Sequence, residues 1–126
     1  MIKFKEIRLY PSEFTLDVYV TDNVSLLRDA FIAKYGANEA FLSIMHTDMS
    51  IQFETSSEAS CKGNRVFVLI LSSLDTHIVF HELMHLLWQF SELSGVELCS
   101  ESQEWQALFI EYITLEILKD DYNTQG

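Results

Sequence analysis

The residues His81-Glu82-Leu83-Met84-His85 are the stretch of this sequence whose types and spacing suit a reaction. On a helix, residues four apart lie about 40° apart around the axis and about 6 Å along it. Two imidazoles so spaced project from one face and can share one ion. Zinc takes nitrogen ligands of this kind at about 2.0–2.1 Å. Glu82 is angled so that its carboxylate can reach a water on the ion rather than the ion itself, which is where a general base belongs. The flanking residues Ile78-Val79-Phe80 and Leu86-Leu87-Trp88 are apolar. Ionisable groups in such a setting need a partner or a metal to offset desolvation. The competing structural reading makes His81 and His85 core histidines bonded to neighbours, with Glu82 a solvated charge.

A catalytic zinc site uses three protein ligands and keeps one position open. One Zn2+ is the cofactor expected, and the third ligand is expected from the next helix. Glu104 falls in that helix's first turn, and Gly95 supplies the reversal that lets the two helices pair. Glu101 and Glu111 are the alternatives. With His81, His85 and Glu104 as ligands, the expected chemistry is hydrolysis of a peptide bond, with Glu82 moving a proton from water to the leaving amine. An oxyanion donor is also required. Tyr112, Tyr122, His46 and His77 are candidates, although a turn histidine at 46 and an exposed first-turn histidine at 77 are the plainer readings.

The elements that must position these groups follow from the pattern of residues. Residues 2–10 and 14–20 read as strands split at Pro11-Ser12. Asp22 or Asn23 caps a helix over 24–35, which Gly36 ends. Residues 40–46 and 50–54 read as a hairpin through Thr47-Asp48, and 56–64 as a loop. Arg65 to Leu71 is a continuous apolar run, expected of a strand covered on both faces. From Asp75 to Ser94 the period becomes helical, with Phe80, Leu83, Leu87 and Phe90 on one stripe widened by Val79, Leu86 and Leu93. Ser72 and Asp75 resemble a capping box, and Gly95 stops the helix. A second helix starts at Ser100, with Gln103 completing its capping box, and runs to about Lys119. Its apolar residues are dense enough to predict a mostly buried helix. Trp88, Trp105 and Met84 read as core residues. The expected fold class is α+β in one domain, 1–126, with a small, mostly antiparallel sheet and the two C-terminal helices packed on one face.

The segment from His81-Glu-Leu-Met-His-Leu-Leu through Glu104-Trp-Gln-Ala-Leu-Phe-Ile-Glu-Tyr112 resembles gluzincin-type zinc metallopeptidases. It is similar in particular to small phage- or prophage-encoded metallopeptidases of minimal zincin fold. The resemblance spans about residues 64–118 and departs from the pattern at Gln106, where a small residue is expected. It implies a short sheet, an active-site helix, a glutamate-bearing helix and an edge strand that binds an extended peptide by strand addition. That edge is expected within residues 40–54. A peptide or protein is the implied substrate.

Composition limits the other readings. The net charge is −11, from 8 basic and 19 acidic residues. With so few cations to neutralise phosphates, a nucleic-acid partner is not expected. No apolar run suffices to cross a membrane, and the first residues carry no apolar leader of the usual length. The expectation is therefore a chain kept in a cytoplasm, that of a host if phage-encoded. Cys61 and Cys99 are expected as free thiols there. Two other functions compete with proteolysis. One is a zinc-binding, zincin-like interaction or assembly module without proteolysis. The other is a zinc amidase acting on cell-wall peptides.

Overall fold

The structure, a computed structural model, describes residues 1–9, 14–36, 48–55 and 64–125. The predicted strand at 40–46, most of the loop at 56–64, His46 and Cys61 lie outside the described residues. The elements run β1 (Ile2–Arg8), β2 (Thr15–Val20), α1 (Val24–Tyr35), β3 (Met49–Thr55), β4 (Asn64–Leu71), α2 (Thr76–Ser94), α3 (Gln103–Leu118) and β5 (Asn123–Gln125).

The five strands form one mixed sheet in the order β3-β4-β2-β1-β5. The β2–β4 pairing is parallel, and the other three are antiparallel. The chain is thus α+β, as expected. The parallel pair at the centre and the short fifth strand are additions to the expectation.

Strand alternation explains the layering. Successive side chains point to opposite faces, and β4 is apolar at every position from 66 to 71. Phe67, Leu69 and Leu71 enter one core together with Leu16, Val18, Ile7 and Leu9. Val68 and Ile70 enter a second core with Ile2 and Tyr19 on the other face. Both C-terminal helices close the first core, through Val79, Leu83, Leu86 and Phe90 of α2 and Ile113 and Ile117 of α3. The second core is closed by Leu27 and Phe31 of α1, so the sheet is covered on both faces.

Helix ends follow local chemistry. Asn23 caps α1, its Oδ1 accepting from the Leu26 N–H at 3.1 Å. Gly36 and Gly95, at φ +85° and +77°, end α1 and α2 in a region that favours glycine. Two expectations are corrected. Asp75, not Ser72, is the N-cap of α2 and makes no side-chain cap bond, while Ser72 is engaged by Asp48. The chain from Ser100 to Ser102 is a 3-10 turn before α3, and Gln103 opens the α-helix rather than completing a box. The α3 helix is also less buried than its composition predicts. Leu108, Leu115 and Leu118 are more than half exposed, since one sheet face cannot cover a helix that is apolar all round.

Candidate metal centre

Strand β4 delivers the chain to the start of α2, and Asp48 fixes that junction. Its carboxylate accepts from the Ser72 N–H at 2.6 Å and from the Ser72 hydroxyl at 2.9 Å. Asp48 itself sits at φ +62°, a conformation that aspartate tolerates better than most residues. The helix then turns Val79, Leu83, Leu86 and Phe90 onto the sheet. The side away from the sheet must carry the residues about half a turn round, and these include His81 and His85, both exposed. One turn further, the Gln89 amide donates to the Ser50 carbonyl at 2.7 Å. Edge strand β3 is thereby tied to the helix that carries the histidines.

The two imidazoles converge. His81 Nε2 and His85 Nε2 stand 3.3 Å apart, with ring centroids separated by 4.9 Å. Two nitrogens each about 2.05 Å from a tetrahedral ion are separated by about 3.3–3.4 Å, so the pair has the spacing of two ligands that could hold one metal ion. The same spacing also suits a long hydrogen bond between one neutral imidazole and the other. Glu82 is the buried member of the group, 3% exposed. Its carboxylate and the two imidazoles place one ligand atom each within 4.8 Å of one another.

Glu104 stands in the first turn of α3 and is exposed. Among the described residues it is outside the converging group, as are Glu101 and Glu111. It lies nine residues before the buried Ile113, roughly half a turn round the helix from it. No family model, no curated protein and no solved structure matches the chain.

Among the oxyanion candidates, two have other uses. The Tyr112 hydroxyl donates to the Arg8 carbonyl at 2.8 Å, and the Tyr122 hydroxyl donates to the Ile117 carbonyl at 2.7 Å. His77 is exposed and, among the described residues, lines the same open cavity as His81, His85, Thr76, Phe80 and Met84. Trp105 stacks on Phe90 at 6.1 Å and packs against the core as expected. Trp88, Phe80 and Met84 are 57%, 56% and 40% exposed, contrary to the expectation of core residues. Gln106 has a defined task in place of the small residue expected. Its amide donates to the Cys99 carbonyl at 3.1 Å and to Ser102 Oγ at 2.9 Å, holding the turn that enters α3.

In the sequence Asp48 reads only as a turn residue, and Gln89 carries no mark of its role. Their only signal is a polar side chain beside apolar runs, which does not say which distant backbone group it meets.

Proposed function

We propose that this chain is a zinc-dependent metallopeptidase of minimal zincin type. The observation that carries the reading is the convergence of His81 Nε2 and His85 Nε2 at a spacing that suits tetrahedral zinc, with the Glu82 carboxylate alongside. His81 and His85 hold the ion. Glu104 is proposed as the third protein ligand, from the resemblance and from its exposed position, where burial does not lock its side chain. Zinc, when bound, supplies a Lewis acid that brings the pKa of water toward neutrality and polarises a carbonyl. Glu82 accepts the proton of the attacking water and returns it to the leaving amine. Glu82 is buried beside the two histidines, which stay exposed and open to a peptide.

A second reading, zinc binding without proteolysis, is favoured by one observation: Glu104 is outside the converging group. Elemental mass spectrometry of purified wild type, His85→Ala and Glu104→Ala separates the two. About one zinc per wild-type chain, lost in both variants, together with cleavage of a peptide library, supports the peptidase. Zinc retained in Glu104→Ala with no cleavage by wild type supports the binding module. No zinc in reconstituted wild type removes both readings.

A further inference from the structure

The cavity beside the histidine pair is lined in part by large apolar side chains. Phe80, Met84 and Trp88 recur every fourth residue along α2, and at this spacing they form a continuous ridge. All three are large, apolar and exposed. Phe80 and Met84 line the cavity that holds His77, His81 and His85. Met84 also lines a second cavity, with Trp88, Leu98, Gln103 and Gln106. Met84 is thus shared by the two hollows, which lie in succession along the helix from the histidines toward the start of α3. Isolated exposed hydrophobics are ordinary, whereas contiguous ones beside polar groups that converge on one point mark a binding surface.

We infer that Phe80, Met84 and Trp88 select the substrate: a peptide segment that sets a large apolar side chain beside the bond being cleaved. This rests on the peptidase reading. His81 and His85 line the first cavity together with Phe80 and Met84, and Glu82 is buried beside them. A peptide whose scissile carbonyl lies at the histidines brings an adjacent side chain onto Met84, and Trp88 covers the residue that follows. Removal of this apolar surface from water on binding provides the selectivity.

The test uses the full, zinc-loaded chain and internally quenched peptides that differ only in the residue flanking the scissile bond: Phe, Leu, Ala or Ser. The expected result is that wild type prefers Phe and Leu. Phe80→Ser and Met84→Ser keep their zinc, and the ratio of kcat/KM for the Phe peptide to that for the Ser peptide falls by about tenfold or more. A binding measurement accompanies it, by calorimetric titration of the Phe and Ser peptides into Glu82→Gln, with and without Met84→Ser. Tighter binding of the Phe peptide, abolished by Met84→Ser, is the expected result. Cleavage with the same preference in wild type and both serine variants overturns this inference and leaves the peptidase reading standing. A dimer of wild type that Trp88→Ser dissociates, with preference unchanged, assigns the ridge to self-association and also overturns it. Neither cleavage nor binding of any peptide by zinc-loaded protein overturns the peptidase reading, and the inference with it.

Discussion

His81 and His85 lie on the open side of α2, while Glu82 between them is buried. The two kinds of residue should therefore fail differently. Glu82→Gln keeps the shape of the side chain and removes its basicity. It is expected to retain zinc in elemental mass spectrometry while lowering peptide turnover by about 10²–10⁴-fold. On the other sheet face, Asp17 is 1% exposed and accepts from Lys34 Nζ at 2.8 Å and from the Tyr35 hydroxyl. The Tyr19 hydroxyl donates to the Tyr35 oxygen at 3.1 Å. Burial, with the nearby Asp17 charge adding to it, pushes the Tyr19 phenol from 10.0 up to about 12. Burial raises Tyr35 and Tyr122 as well. Below pH 10 these phenols are neutral in both folded and unfolded chains. Above it the unfolded chain ionises first, so stability is full below pH 10 and is lost as pH rises through about 12. Urea midpoints measured from pH 8 to 12 should fall across that window. A flat profile would refute the burial of these hydroxyls.

Caps and stops were the most legible features among the elements. Asn23, Gly36 and Gly95 stand where the sequence places them because their effects are local: a side-chain acceptor for a free N–H, or a backbone able to adopt positive φ. The contacts that join elements were not legible. Lys5, 5% exposed, reaches from β1 to the end of α3. There its ammonium donates to the Glu116 carbonyl at 2.5 Å and the Lys119 carbonyl at 2.8 Å. It also pairs with Asp121 and lies 4.1 Å from the Tyr122 ring centre. Carbonyls at a helix C-terminus lack partners within the helix and attract a cation. Lys5→Met keeps much of the packing but strands these acceptors, and it is expected to cost about 1.5–3 kcal/mol in denaturant unfolding. A change below about 0.5 kcal/mol would mean that water replaces the ammonium without loss. In sequence, Lys5 is only a charge alternating with apolar residues, and its partners are more than 110 positions away.

The whole molecule is a sheet covered on both faces, with α1 on one side and α2 and α3 on the other. Among the described residues, no helix is long and apolar enough to cross a membrane. Phe67 is fully buried at the centre, touching Phe14 and Phe90 edge to face or tilted at 6.1 and 5.6 Å. Phe67→Ala is expected to cost about 3–5 kcal/mol in denaturant unfolding, while Leu115→Ser, on the exposed side of α3, should stay within about 0.5 kcal/mol. A large loss at Leu115 would mean that a partner covers that side. By itself the sequence determined, to within a residue at each end, the strand read at 65–71, the helices read at about 24–35 and 75–94, and the candidate group His81, Glu82 and His85. Period, caps and i,i+4 geometry act within a few residues. Only the tertiary structure decided that β2 and β4 run parallel, that α1 takes the opposite face, and that Phe80, Met84 and Trp88 stay exposed while Leu83 and Leu86 are buried. Hydrophobicity says that a side chain gains from burial. Which side chains obtain it depends on how much surface the sheet offers and on the direction from which each helix meets it.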